Sequence, residues 1–496
     1  MSDTMMPRRR FLGAAAAATA AGAAGVATGV NPFAGLQAAA AQGTAPRQAR
    51  RGQGGYGRLV AKRPARTPDF SPEHGGVYAD PQTEWLALPE DFDYVVLGIA
   101  GATMSDGNRT PQAHDGMGAF AAPQGRVRLV RNHENRNGAG DGLPPIGGPT
   151  NAYDALGAGG NTTVEIDFDG GIPVLGRDFV SLNGTIVNCA GGVTPWGSWL
   201  SSEETTETRG EIPHGYNFEV PSANDSAVEP VPLTAMGRFS HEAVCVDPRT
   251  GIVYETEDAG DSGFFRFVPD RSGRLDSGRL QMLKVRGATN YDTRTGQDPR
   301  QALRVEWVDI DDPDPAGGGQ KAVYDQGFAR GGAIFRRLEG CWFGFGAVYF
   351  NATNGGDAGH GQIWEYRPGG RSGGTLKLIY ETPDPEILTF PDNINVTPRG
   401  GLVLCEDTGF VRSEENFLDD GTGQAPFAEQ KVIGLTRDGR IFDFAVNILD
   451  NREWAGACWS PDGQYLFVNT QGDTTEPGTI PGRTYAIWGP WQRGAL

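Results

Sequence analysis

The chain has 496 residues with 74 Gly and 34 Pro, which excludes a mainly helical protein, because interior Gly and Pro cost a helix about 1 and 3 kcal/mol each. A hydrophobic fraction of 38%, with 10 Trp and 24 Phe, supports a folded core and excludes a disordered chain. The net charge of −18 disfavours nucleic acid as a non-specific partner, and with six His any metal chemistry must lean on carboxylates.

Reading from the N-terminus, Arg8, Arg9 and Arg10 precede Phe11 and Leu12 in a twin-arginine pattern. An Ala/Gly-rich apolar run follows to about residue 28, and residues 38–41 offer an A-x-A cleavage site. The run is too short and too Ala-rich for a stable membrane span. Residues 1–41 therefore read as an export signal for the twin-arginine (Tat) machinery, with a soluble periplasmic or extracellular product. That route carries folded proteins, often with metal already inserted. Residues 42–77 read as a flexible basic linker, with seven basic and no acidic residues between 42 and 68. Residues 69–496 carry 33 basic and 60 acidic side chains, a net −27, so the globular part is more acidic than the whole.

The five Cys are 189, 245, 341, 405 and 458, an odd number that argues against a full disulfide framework. Four sit in apolar strand-like runs as small buried hydrophobes. Cys189 differs, because it occupies a place in a repeat. The repeat unit is a polar ligand-type residue, a short strand, a tight turn with Gly, a second strand and another polar cluster. It reads DGMGAFAAPQGRVRLVRNHE from Asp115, CAGGVTPWGSWLSSEE from Cys189, and EAVCVDPRTGIVYETED from Glu242. It recurs as EGCWFGFGAVYFNATN from Glu339, DNINVTPRGGLVLCED from Asp392 and AGACWSPDGQYLFVNTQGD from Ala455. Six hairpins with further strand-like runs between them predict an all-β, six-bladed β-propeller over residues 78–496, with loop insertions. A pair of packed sandwiches is the competing architecture.

In an antiparallel hairpin the first residue and the last lie at one edge. Asp115 is thus expected near Glu134, Cys189 near Glu203 and Glu204, Glu242 near Glu257 and Asp258, and Asp392 near Glu406 and Asp407. In successive blades these groups would ring one mouth of the central channel. Like charges about 4 Å apart repel by about 4 kcal/mol at an effective dielectric near 20. Such groups are protonated, solvated or metal-bound, and hard cations are the economical answer for the whole set. A thiolate among them suits softer metals such as iron or zinc, which points to a mixed site; a plain buried thiol is the other reading. His133 and His241 read as supports of ligands rather than ligands. Trp196 and Trp199 are expected to pack between blades. Asp261-Ser262-Gly263 reads as a turn, because no G-x-S-x-G elbow surrounds the serine.

The stretches RNHE at 131–134, NCAGGVTPWGSWLSSEE at 188–204, GRFSHEAVCVDPRTG at 237–251, RRLEG at 336–340, PDNINVTPRGGL at 391–402 and AGACWSPDG at 455–463 resemble the PhoX family of secreted alkaline phosphatases. The resemblance spans roughly residues 80–491 and places the chain in a shorter branch. It implies a Tat-exported, six-bladed propeller that uses iron and calcium to release inorganic phosphate from small exported or extracellular phosphoesters. Carried over by residue, Cys189 is the thiolate iron ligand, and Glu242 and Glu339 are carboxylate ligands of the iron pair and its calcium neighbours. Glu134, Glu204, Asp258, Asp392 and Asp407 are calcium or bridging ligands, and Arg337 grips phosphate. The chain departs from the family at Glu257, where longer members tend to carry Asp, and at Asn393, where Gly is common. A monomer is expected. A calcium-dependent propeller lactonase or esterase and a non-catalytic envelope-ligand-binding propeller are the alternatives, separated by iron content and by phosphoester hydrolysis.

Overall fold

In the computed structural model, residues 55–66, 80, 82–370, 372–408 and 429–496 are described. The export signal expected at 1–41 lies outside the described residues. Each of the six hairpins forms, and each first strand lies innermost in its blade: His114–Ala121, Asn188–Val193, His241–Val246, Leu338–Gly344, Pro391–Val396 and Trp454–Trp459. These inner strands contact one another in that order, and the last contacts the first. The result is a closed six-bladed β-propeller.

The first blade adds Val127–His133, Gly159–Asp169 and Ile172–Thr185 to its inner strand. The third and fourth blades share a nine-stranded sheet, because Leu303–Asp309 pairs with the outer strand of both. The second blade has three strands rather than four, and a single bridge from Phe218 to Pro232 stands where a fourth would begin. The sixth blade takes its outer strand, Asp93–Ile99, from the start of the propeller and pairs it with Arg483–Trp488, which ties the two ends of the ring together. Part of the segment expected as a linker is not one. Leu59–Lys62 pairs with Leu86–Pro89 on the outer edge of the fifth blade. The physical reason is Tyr56, whose ring packs against Phe92, Phe444 and Trp491 and whose hydroxyl donates to Trp491 O at 3.0 Å.

The cores lie between blades, as the two-residue side-chain period of twisted strands requires. Between the third and fourth blades Phe264 stacks on Phe350 at 4.3 Å, with Tyr254, Leu283, Leu338, Cys341 and Trp364 around them. Between the fifth and sixth, Phe442, Phe444, Trp454 and Tyr485 do the same work. Each such side chain contributes roughly 1.5–3 kcal/mol by leaving water. Cys189, Cys245, Cys341, Cys405 and Cys458 are all free and buried. Trp199 is buried as expected and donates to Asn132 Oδ1 at 2.8 Å. Trp196 sits at the edge of the second blade, beside Gly273 of the third. It is 36% exposed on the far hairpin turn, because its indole N–H reaches out to Glu219 at 2.6 Å.

Glycines let the blades approach. A methyl on Gly192 would overlap the Val244 carbonyl of the next blade, whereas one on Gly140 would meet open space. Gly192→Ala is expected to destabilise the fold by about 1–3 kcal/mol, and Gly140→Ala by under about 0.5 kcal/mol. Denaturant midpoints of the two variants measure the difference.

Candidate metal centre

The site arises from a defect repeated six times. Every inner strand carries a register shift just after its first residues: after His114, Asn188, His241, Leu338, Pro391 and Ala455. A bulge leaves two residues unpaired and re-aims the first. Those first residues are Asp115, Cys189, Glu242, Glu339, Asp392 and Gly456. Four of the residues that follow are Gly or Ala (Gly116, Ala190, Ala243, Gly340), and a fifth, Ala457, stands in the sixth blade. A methyl on Gly340 would come to 2.5 Å from Ile394 N of the next blade, so bulk there is excluded. The sixth unit is offset by one residue from the expected start at Ala455. Its equivalent position is Gly456, which has no side chain to offer, and Glu453 reaches the mouth instead.

Two residues before the ligand, the chain turns sharply. Ala113, Val187, Arg337 and Phe390 hold φ of 51°, 47°, 43° and 47°, a left-handed conformation that costs a non-glycine residue about 1–2 kcal/mol. At Arg337 the carbonyl accepts a backbone bond from Thr353 N at 2.9 Å; at the other three it accepts from an acidic residue at the end of the second strand: Glu134 N to Ala113 O at 2.9 Å, Glu204 N to Val187 O at 2.8 Å, and Asp407 N to Phe390 O at 3.1 Å. The bond sets the second-strand carboxylate beside the bulge ligand.

Asparagines lock neighbouring blades at the same level. Asn132 Nδ2 donates to the Cys189 and Ala190 carbonyls at 3.1 and 2.6 Å, and Asn469 Nδ2 to the Asp115 carbonyl at 2.5 Å. Asn351 donates to the Asp392 carbonyl. Asn393, the departure noted in the sequence, accepts from Gly456 N at 2.7 Å and donates to Asp392 Oδ1 at 2.8 Å. It joins the fifth blade's ligand to the sixth blade's bulge.

Alternation corrects one expectation. Of the paired acids ending the second strands, Glu204 and Asp407 face the mouth and Asp258 the chamber adjoining it, and Glu203, Glu257 and Glu406 face neither. Glu203 accepts from Ile186 N, Gly215 N and His214, Glu257 from Gly263 N at 2.8 Å, and Glu406 from Thr389 N at 2.9 Å. His133 and His241 likewise support the frame. His133 lies 2.8 Å from both Gln112 O and Thr162 Oγ1, and His241 Nε2 lies 3.0 Å from Gly237 O. Burial holds both imidazoles below the usual range and so neutral. Asp261 pairs with Arg294 at 2.5 Å and Ser262 bridges to Phe335, the turn expected there.

The mouth is a polar cavity of about 190 Å³ lined by Glu134, Cys189, Glu204, Glu242, Arg337, Glu339, Asp392 and Asp407, all named from the sequence. Asp258 lies one step outward, in an adjoining chamber. Arg136, Glu453, Gln471 and Thr474 line the mouth too and escaped sequence reading. Arg136 stands two residues after Glu134 in RNHENR, a usable signal; Glu453 and Gln471 were hidden by the one-residue offset of the sixth unit. Asp115 headed the first repeat without being named a ligand, yet it stands with Glu134 and Cys189.

Ligand atoms of three overlapping groups lie within 4.8 Å of one another: Asp115, Glu134 and Cys189; Cys189, Glu204 and Glu242; Glu242, Glu339 and Asp392. Glu242 is fully buried, and neither of its carboxylate oxygens has a nitrogen or oxygen donor. Burial, then the charges of neighbouring carboxylates, push Asp115, Cys189, Glu204, Glu242, Glu339 and Glu453 well above their ordinary values. Burial raises Glu134 and Asp392 to about 7, with Arg136 and Arg337 respectively pulling the other way. Buried oxygens without donors, set at coordination spacing beside one sulfur, fit hard cations together with a softer one.

Two arginines stand at the rim. Arg337 is held by Asp258 through Nε and Nη2, both at 3.0 Å, and Nη2 also lies 3.1 Å from Glu339. Arg136 contacts Glu134 and lies 2.6 Å from Glu204. Burial opposes their charge, but the carboxylates outweigh it and hold both guanidiniums charged.

The family model for alkaline phosphatase PhoX matches residues 74–474. Among solved structures, the chain is similar to Pseudomonas fluorescens PhoX in complex with vanadate, a transition-state analogue, at 19% identity and a TM-score of 0.61, over 82% of this chain and 96% of that one. A gluconolactonase from Xanthomonas campestris aligns at 11% identity over 80% of this chain and 98% of its own, but its TM-score of 0.32 carries no argument. No curated protein sequence matches the chain.

The raised carboxyls make a pH prediction for metal-stripped protein. Glu134 and Asp392 bind protons more tightly when folded (about 7) than their ordinary values of 4.5 and 3.8. Their contribution to stability is therefore present at low pH and falls as pH rises from about 4 to about 7. With chelator present, the denaturant midpoint is expected to be higher at pH 5 than at pH 8. A midpoint that rises with pH would contradict the reading.

Proposed function

Because the chain belongs to the PhoX family of alkaline phosphatases, and is by that a phosphoric monoester hydrolase, we propose that the ringed mouth binds iron and calcium and hydrolyses small phosphomonoesters outside the cytoplasm. The observation that carries the metal reading is Glu242. It belongs to two of the three ligand groups at once, and among the described residues no nitrogen or oxygen donor reaches either of its carboxylate oxygens. The family membership sets aside the lactonase and non-catalytic readings.

Cys189, Glu242 and Glu339 would hold the iron, and Glu134, Glu204, Asp258, Asp392 and Asp407 calcium or bridging positions, with Asp115 beside them. Bound there, the ions would neutralise phosphate charge and provide an oxygen nucleophile near neutral pH. Phosphoryl transfer asks for positioning and charge neutralisation more than for covalent help. Arg337 supplies part of both. Asp258 fixes the plane of its guanidinium through one edge, and among the described residues no carboxylate takes its Nη1 donors, which are left for phosphate oxygens. Arg136, 2.6 Å from Glu204, adds a second positive group at the rim. The strained backbone at Arg337 aims its side chain over the mouth from the residue two before Glu339. His133 and His241, neutral and hydrogen-bonded to the frame, are not among the residues that line the mouth and serve as supports there.

Purified protein is expected to hydrolyse p-nitrophenyl phosphate, to lose that activity in chelator, and to regain it when calcium and iron are restored. Cys189→Ala should deplete iron and turnover together. Arg337→Ala should keep the metals and lower kcat/KM by about 10²-fold, the scale for losing one preorganised charge-stabilising group. Full turnover with normal iron in Cys189→Ala would overturn the thiolate assignment.

A further inference from the structure

Outside the mouth, and sharing Arg136, Glu204 and Arg337 with it, lies a chamber of about 550 Å³. Its size falls in the roughly 300–1,000 Å³ range of small-molecule sites. Both arginines line the mouth and this chamber alike, so the chamber is the space next to a phosphate that they hold. The other lining residues are Thr205, Thr206, Glu207, Ser240, Asp258 and Gln320, with the backbone of Ala259 and Gly260. Among the described residues no aromatic ring lines it. Ser240, 4% exposed, holds in the third blade the place that Arg337 holds in the fourth, two residues before the ligand.

From this lining we infer that the chamber is a leaving-group subsite for neutral, polyhydroxylated alcohols, so that the enzyme prefers sugar and glycerol phosphates over alkyl or aryl phosphates. The inference rests on the phosphatase reading above. Its argument is chemical. Hydroxyls and an amide pair with substrate hydroxyls, whereas an alkyl or aryl group would desolvate them without return. Among the described lining residues a base or phenyl ring finds no face on which to stack. Gln320 donates from Nε2 to Asp258 O at 3.3 Å, which leaves its Oε1 as an acceptor at the chamber's edge. Thr205 Oγ1 accepts from Glu207 N at 3.1 Å, which fixes its hydroxyl. Glu207, paired with Arg209 at 3.0 Å, and Asp258, paired with Arg337, present carboxylates that oppose a second phosphate on the leaving group.

The test compares two esters of primary alcohols of similar size, glucose 6-phosphate and n-hexyl phosphate, on metal-loaded protein. p-Nitrophenyl phosphate is run beside them. The glucose ester is expected to have a kcat/KM about tenfold higher than the hexyl ester, the effect of one or two neutral hydrogen bonds. Ser240→Ala combined with Thr206→Val should bring that ratio toward one. Gln320→Leu, at an exposed position that leaves the core untouched, should lower it about twofold or more. Equal kcat/KM for the two esters in the unaltered protein, or a ratio unmoved in both variants, overturns the inference while p-nitrophenyl phosphate is still turned over. Failure to turn over any of the three esters overturns the phosphatase reading, and the inference with it.

Discussion

Mutual repulsion among buried acids governs this molecule. Asp115, Glu134, Glu204, Glu242, Glu339, Asp392 and Glu453 converge with the Cys189 thiol on one mouth, and all are pushed above their ordinary pKa. Nothing about a propeller requires this. The strands could pair in perfect register and point these side chains into the interblade cores, where they would not survive. The bulges instead take one side chain in each of five blades out of the pleat and aim it at the axis. Asparagine bonds between blades then fix the ring at that level. The apolar cores between blades stabilise the assembly and hold the acids together against their charge. Cations are the natural complement, and on binding they would turn a destabilising cluster into a binding site.

The same logic reverses the meaning of an acidic composition. A globular part at −27 repels anions at long range. Locally, Arg136 and Arg337 stand over carboxylates that cations would take up, and both guanidiniums stay charged because those carboxylates surround them. The sign of the field at the mouth therefore depends on how many cations the ring holds. An acidic protein can thus bind a dianionic phosphate at one place and repel nucleic acid everywhere else.

Much of this was legible in the sequence, for physical reasons. Short strands, a tight turn and a ligand-type residue at a near-constant offset are local features, and they located all six hairpins and the ends of five. The sixth went astray by one residue because its bulge position is Gly456, which carries no side chain to announce it. Blade closure by Asp93–Ile99 and the strand at Leu59–Lys62 depend on partners more than 380 residues away in one case and on an aromatic cluster around Tyr56 in the other. Paired acids looked alike in sequence, and only the two-residue period of the strand separates Glu204, Asp258 and Asp407 from Glu203, Glu257 and Glu406. Arg136 was missed because its role comes from Glu204, in another blade. Trp196 was misplaced because a turn tryptophan can spend its N–H on a neighbouring carboxylate and remain at the surface.

The central claim is that a thiolate and the surrounding carboxylates hold iron at the meeting point of the second and third blades. An anomalous difference map from crystals of the metal-loaded protein, collected above and below the iron absorption edge, tests it most directly. The account predicts an iron peak within bonding distance of both Cys189 Sγ and a Glu242 carboxylate oxygen. A catalytically active crystal with no iron at that position would contradict it.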